Sequence, residues 1–425
     1  MKQPSQLRDQ VVAQASLAKQ ASRRLARLSS AEKNALLLAI ARQIRQDQTL
    51  ILAANEQDAT LAEAANQPKS YLDRLMLNEQ RIDGLASSLE ELVSLADPIG
   101  EVISSMTRPN GLLIEQVRVP LGVIGMIYEA RPNVTVDAAA IALKTGNAIV
   151  LRGSRSALHS NLALAQSIRQ ALTELHLPAD AVQYLAHTEH EAIDILCTAN
   201  GLIDVIIPRG GAELISRVVR TSSVPVLETG IGNCHLFIDE SADYELAASI
   251  VLNAKTSRPA VCNAAETLLI HQAWPDHLQK LLLQRLHEAG VEIRACERTR
   301  SQHKELASLL APAEDRDWAT EYLDLILAVR TVDSIEEALE HIANHGSGHS
   351  EAIITSNTSL AERFLAQVDA AAVYHNASTR FTDGGEFGYG AEIGISTQKI
   401  HARGPMGLPA LTSWKFLIRG NGQIR

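Results

Sequence analysis

Residues 122–133 read Gly-Val-Ile-Gly-Met-Ile-Tyr-Glu-Ala-Arg-Pro-Asn. An apolar, β-rich run this short, closed by a charged turn and a proline, is a strand buried on both faces that leads into a helix, because Pro132 suits the first helical turn. The same unit recurs downstream: β-rich runs at 148–151, 182–185, 203–207 and 224–227 alternate with helical stretches. That alternation predicts βαβ units and a mainly parallel sheet covered by helices. A second α/β series is predicted from about Ala247, with helices at 278–286 and 335–344 and strands at 325–329, 352–354 and 371–374. Two α/β lobes follow.

Upstream of these runs, Leu36, Leu37, Ile40, Ala41 and Ile44 keep the three-and-four spacing of an amphipathic helix, and residues 6–65 read as helical. Ser29 with Glu32 three residues later is a capping box that opens the second helix. Segments 103–119 and 396–425 look strand-like and belong to neither lobe, which makes them protected edges or interface strands.

The chain has 425 residues, 46% hydrophobic and 21% charged, too long for one small module and too apolar for long disorder. With 39 basic against 49 acidic side chains the net charge is -10, which argues against a nucleic-acid partner. Cys197, Cys234, Cys262 and Cys296 are too far apart in sequence for a disulfide or zinc framework. The apolar run 121–128 is too short for a bilayer, and the start Met-Lys-Gln-Pro-Ser-Gln lacks the apolar core of a signal peptide. A cytoplasmic protein with no membrane partner is expected.

Lys255-Thr-Ser-Arg258-Pro259-Ala-Val-Cys262-Asn263 carries the sharpest local chemistry. The pattern predicts a helix that stops before Pro259 and another that starts near Asn263, putting Cys262 at a helix N-terminus with two cationic side chains nearby. A helix dipole and adjacent positive charge favour thiolate over thiol. The residues alone leave two readings open, an activated nucleophile and a buried packing cysteine. Cys197 and Cys296 read as packing residues. Cys234 stands beside His235, but neighbours on an extended segment point to opposite faces.

Pro208-Arg209-Gly210-Gly211 lies between a strand and a helix, a turn that can present backbone N–H groups to a pyrophosphate or simply be a tight turn. The fingerprint G-x-G-x-x-G is absent. Arg152, Ser154 and Arg155, after another strand, suit nucleotide phosphates or a solvated surface. His341, His345 and His349 are spaced by four, but Gly346 and Gly348 should end the helix before His349 joins it, so no metal site is expected.

Longer pieces carry a further signal. They are Val119-Pro-Leu-Gly-Val-Ile-Gly-Met-Ile-Tyr-Glu-Ala-Arg-Pro-Asn-Val-Thr135, Leu151-Arg-Gly-Ser154, Glu228-Thr-Gly-Ile-Gly-Asn-Cys-His235, Cys262-Asn-Ala-Ala-Glu-Thr267, Gly346-Ser-Gly-His-Ser-Glu-Ala352 and His375-Asn-Ala-Ser-Thr-Arg-Phe381. Together they resemble the aldehyde dehydrogenase superfamily over nearly the whole chain, and within it the branch that reduces γ-glutamyl phosphate in proline biosynthesis. The resemblance implies an α/β, aldehyde dehydrogenase-like fold of two Rossmann-like lobes with a small β oligomerisation element. Residues 1–102 and 120–250 would bind NADPH, 251–395 would carry the nucleophilic cysteine, and 103–119 with 396–425 would be oligomerisation strands.

The implied reaction is NADPH-dependent reduction of γ-glutamyl phosphate to glutamate γ-semialdehyde with release of phosphate, through a thioester on Cys262. Asn133 falls on the side-chain amide that stabilises the tetrahedral oxyanion together with a backbone N–H. Arg152, Gly153 and Ser154 fall near the adenosine ribose and its phosphate, and Gly210 and Gly211 at the pyrophosphate. Ser378, Thr379, Arg380 and Phe381 fall on the substrate loop, with Arg380 assigned to the α-carboxylate and Arg258 to the departing phosphate. Hydrolytic members carry Glu-Leu-Gly-Gly where this chain has Glu228-Thr229-Gly230-Ile231-Gly232, which leaves the role of Glu228 open. A hydrolytic NAD(P)-dependent aldehyde dehydrogenase and a non-catalytic nucleotide-binding scaffold are the competing readings. The implied partners are the small-molecule substrate and further copies of the chain; a glutamate kinase contact follows only from the lability of the acyl phosphate, and no docking motif in the sequence marks it.

Overall fold

A computed structural model describes residues 4–425. Five helices open the chain: α1 (Pro4–Leu25), α2 (Ser30–Gln46), α3 (Gln48–Ala64), α4 (Lys69–Leu75) and α5 (Glu79–Ser94). The capping box forms as expected: Ser29 Oγ accepts from Glu32 N, and the Glu32 carboxylate accepts from Ser29 N at 2.8 Å. Leu36, Leu37, Ile40, Ala41 and Ile44 are all buried.

Two strands follow, β1 (Val102–Thr107) and β2 (Leu113–Pro120), and then the βαβ series β3 (Val123–Tyr128), α6 (Asn133–Lys144), β4 (Ala148–Arg152), α7 (Leu158–Glu174), β5 (Val182–Tyr184), α8 (His190–Cys197), β6 (Val205–Arg209) and α9 (Ala212–Thr221). The second series runs β7 (Cys234–Ile238), α10 (Tyr244–Thr256), β8 (Ala265–His271), α11 (Asp276–Glu288), β9 (Glu292–Ala295), α12 (Glu297–Gln302), β10 (Leu310–Pro312), β11 (Ile326–Val332), α13 (Ile335–His345), β12 (Ser350–Ile354), α14 (Thr358–Gln367) and β13 (Ala372–His375). It closes with the short pair β14 (Ile395–Ser396) and β15 (Gly404–Pro405), and the chain ends in β16 (Thr412–Arg419).

The chain forms two compact units. The first holds the residues through Thr229 with Gly388–Gly394 and Met406–Arg425, and the second holds Gly230–Phe387 and Ile395–Pro405. In the first, a parallel sheet runs in the order β5-β4-β3-β6, and an antiparallel sheet runs β1-β2-β16. In the second, seven parallel strands run β10-β9-β11-β8-β7-β12-β13. One face of this sheet packs through residues such as Leu268, Leu282, Leu283 and Ile293, and the other through Phe237, Leu269, Ile353 and Phe364. Strands buried on both faces read as unbroken apolar runs, which is why the sequence shows them so clearly.

Three expectations need correction. The run 224–227 is not a strand: it makes an isolated bridge between Val226 and Ile206, since Pro225 has no N–H with which to extend a ladder. The division between units falls at 229/230 and not at 250/251, because β7 is a central strand of the seven-stranded sheet, paired with β8 and β12. The tail 396–425 is not one element: residues up to Pro405 belong to the second unit, while β16 pairs with β2 in the first.

Candidate active site

Cys262 lies on the turn between α10 and β8, and here the structure departs from the sequence reading. Ala264 N donates to Val261 O at 3.0 Å, and Ala265 already pairs with Cys234 at the start of β8. Residues 263–264 therefore lead into a buried strand and not into a helix, so Cys262 does not sit at the start of the expected helix. The residues after it, Ala265–His271, commit their backbone to ladders with β7 and β11.

Backbone packing fixes the turn instead. A Cβ on Gly232 would fall 1.6 Å from the Cys262 carbonyl oxygen, so only glycine allows this approach. The Cys234 thiol donates to the same carbonyl at 3.2 Å. Burial pushes that thiol well above its usual range, so it stays protonated and keeps its donor. Gly232 N donates to Glu321 Oε1 at 2.7 Å, which holds the other side of the approach.

The next residue, Asn263, is buried and binds the 378–382 segment. Its Nδ2 donates to Arg380 O (3.3 Å) and Thr382 O (2.9 Å), and its carbonyl accepts from Thr379 Oγ1 (2.7 Å). Arg380 donates through Nη1 to Asn263 Oδ1 and through Nε to Ser257 Oγ at 3.2 Å. Burial, and then the neighbouring Arg258, pull the Arg380 guanidinium below its ordinary range, while Asp383, Cys262 and Cys234 oppose that shift. Two guanidinium groups and the Cys262 sulfur thus share one locale, the electrostatic setting that a thiolate nucleophile uses. Of the four residues assigned to the substrate loop, Ser378 and Thr379 are turned inward and Phe381 is 49% exposed.

The turn is also tied at its two ends. Lys255 Nζ lies 2.6 Å from Glu266 Oε2 with both side chains fully buried, joining the last turn of α10 to β8. Burial pushes the Glu266 carboxyl up to about 7 against the pull of Lys255, and it pushes Lys255 down. The His349 ring approaches the Cys234 sulfur, its Nδ1 3.8 Å away, whereas the ring of His235 pairs with Glu351 at 3.0 Å. His341 stacks near His345 with ring centroids 4.6 Å apart, and burial pushes it down to about 3. Among the described residues no group of three metal-binding side chains converges.

In the first unit, β3 has β4 on one side and β6 on the other, the strand-order reversal at which open α/β sheets bind ligands beyond their carboxyl ends. Arg152 ends β4; its Nη2 donates to Thr188 O (2.8 Å) and Glu189 O (3.3 Å), and its Nε is buried without a partner. Gly153 is required by packing, since a Cβ there would come 2.2 Å from Asn161 Nδ2. Ser154 Oγ lies 2.8 Å from Ser156 Oγ. Gly211 caps α9, and its N–H donates to Glu129 Oε2 at 3.0 Å. The helix start, the orphaned Arg152 Nε and the open space at Gly211, where a Cβ would meet only Glu129 Oε1 at 3.9 Å, fit a nicotinamide dinucleotide.

Asn133 is the first residue of α6, and its Nδ2 donates to Asp137 Oδ2 at 3.0 Å, one helical turn on. Burial pushes the Asp137 carboxyl up to about 6, against that hydrogen bond. The local pattern offers no role for Asp137, Gly232, Asn263 or Glu266, and Lys255, expected as a cation beside Cys262, is instead paired with Glu266. Only the four-residue spacing of Asn133 and Asp137 offered a local signal.

The aldehyde dehydrogenase family model matches residues 1–300. The chain is 57% identical over 408 residues to the gamma-glutamyl phosphate reductase of Moorella thermoacetica, covering 96% of this chain and 97% of that protein. It is 54% identical over 417 residues to the gamma-glutamyl phosphate reductase of Bacillus cereus, covering 98% and 100%. The crystal structure of gamma-glutamyl phosphate reductase from Thermotoga maritima superimposes with a TM-score of 0.95 at 46% identity, covering 98% of this chain and 99% of that one.

The Asp137 carboxyl gives a pH test. Its folded value of about 6 lies above its unfolded value of about 4. The folded state therefore holds the proton more tightly, and the stabilisation present at low pH is lost as pH rises through about 6. The melting temperature of Asp137→Asn minus that of the wild type should grow between about pH 4.5 and about pH 7, and a constant difference would contradict the assignment.

Proposed function

The chain belongs to the aldehyde dehydrogenase family and, within it, to the γ-glutamyl phosphate reductases, and on that basis we propose that it reduces γ-glutamyl phosphate to glutamate γ-semialdehyde with NADPH and releases inorganic phosphate. The observation that carries this reading is the setting of Cys262, a half-buried thiol on a turn locked by Gly232 and Cys234 and flanked by Arg380. A locked thiolate beside cationic groups is suited to attack a carbon that bears a phosphate leaving group.

In this mechanism the Cys262 sulfur forms a bond to the acyl carbon as the C–O bond to phosphate breaks, and the departing phosphate takes up one proton. Arg258 is assigned to the leaving phosphate and Arg380 to the substrate α-carboxylate, with Ser378, Thr379 and Phe381 shaping the loop around it. NADPH, when bound, supplies the hydride that reduces the thioester carbon. The resulting tetrahedral oxyanion is assigned the amide of Asn133 and a backbone N–H at Cys262 as donors, and its collapse expels aldehyde and regenerates the thiolate. Asp137 holds the Asn133 amide in one orientation. Arg152, Gly153 and Ser154 are assigned to the adenosine ribose and its phosphate, and Gly210 and Gly211 to the pyrophosphate, where Glu129 would have to release Gly211 N.

Run in reverse, the wild type should reduce NADP with the semialdehyde only when inorganic phosphate is present. Cys262→Ser should lose about a thousandfold or more of this rate. Phosphate-independent turnover would instead point to a hydrolytic aldehyde dehydrogenase.

The antiparallel sheet supports a homo-oligomer. Trp414, Phe416 and Ile418 alternate along β16 and are each more than half exposed, and Val102, Ile103 and Met106 of β1 are exposed as well. Such a patch is suited to burial against another copy of the chain. Sedimentation should show a multi-subunit wild type and a smaller species for Phe416→Glu, and an unchanged species would contradict this.

A further inference from the structure

Asn263 stands next to the proposed nucleophile yet has no assigned role, and its environment is unusually specific. It is 4% exposed. Its side-chain amide spends its donors on two carbonyls of one loop, Arg380 O and Thr382 O, and its oxygen on the Arg380 guanidinium. Its own carbonyl accepts from Thr379 Oγ1 of the same loop at 2.7 Å. One residue thus makes four hydrogen bonds to a segment more than 110 positions away in sequence. The peptide on its other side is closely packed, with the Cys262 carbonyl against Gly232 and accepting the Cys234 thiol.

We propose that Asn263 is a positioning residue that clamps the 378–382 loop to the Cys262 turn and so fixes the distance between the substrate's carboxylate anchor and the sulfur. The proposal rests on the reductase reading given above. A side chain here needs donor and acceptor on one short arm. Serine or alanine does not span the gap, and a carboxylate offers lone pairs where two carbonyl oxygens require donors. Asn263 acts on the reaction only through the loop and through Arg380. Its loss should therefore weaken substrate capture more than turnover of bound substrate, since misplacement of a binding group is felt in capture and orientation.

The test is Asn263→Asp in the full-length enzyme, with two readouts. In phosphate-dependent NADP reduction, KM for the semialdehyde should rise about tenfold or more while kcat falls less. In the rate of Cys262 alkylation by iodoacetamide, followed by peptide mass spectrometry, the pH midpoint should move upward, because a new carboxylate replaces the amide beside the sulfur and neutralises Arg380. Thr379→Val, which removes only the hydroxyl bonded to the Asn263 carbonyl, carries the test if the first variant does not fold. Its KM should rise about threefold or more. KM and alkylation within about twofold of wild type in a folded Asn263→Asp protein, or an unchanged KM in Thr379→Val, overturns the clamp. Absence of phosphate-dependent turnover in the wild type would sink the reductase reading instead, and the alkylation profile would still report on the clamp.

Discussion

The approach of the Gly232 backbone to the carbonyl of Cys262 is the constraint on which the chemistry proposed for the second unit depends. There is no room for a single methyl group between the two segments, so the 230–234 strand entry and the 257–264 turn behave as one packed piece. The buried Cys234 thiol adds a donor to the same oxygen, and Asn263 carries the rigidity onward to the 378–382 loop. A thiol held this way, acting as the proposed nucleophile, needs little reorganisation when a substrate arrives, which is where preorganised sites gain most of their advantage.

The charges around the turn follow the same logic. The Lys255–Glu266 pair is fully buried, an arrangement that contributes little net stability over apolar packing but is costly to break, because removal of one partner leaves a bare buried charge. It ties together the two elements that frame the turn. The expected helix start at Asn263 is absent, and the cationic group coupled to the sulfur is Arg380, which is itself coupled to Arg258, so the electrostatics depend on the loop that Asn263 holds.

Much of the fold was legible because buried parallel strands and amphipathic helices write their periods into the sequence. The runs that became β3, β4 and β12, and the Ser29–Glu32 box that opens α2, fall where they were expected. The reading failed where tertiary pairing decides. Residues 263–271 carry no turn signal that separates a helix restart from a buried strand, and β7 joins the second unit through pairing with partners distant in sequence. Cys262 is proposed from its neighbours and from family resemblance, whereas Gly232, Asn263 and Glu266 make contacts with segments that local spacing does not connect. Asp137 was within reach, one helical turn from Asn133.

Cys262 is the proposed covalent carrier of the acyl group, and each step of the proposed reaction passes through its sulfur. Intact-protein and peptide mass spectrometry after mixing the enzyme with freshly made γ-glutamyl phosphate, in the absence of nicotinamide cofactor, tests this most directly. One glutamyl adduct per chain is expected, located on the peptide that contains Cys262 and discharged on addition of NADPH. An unmodified Cys262 in an enzyme that turns over normally when NADPH is added would contradict it.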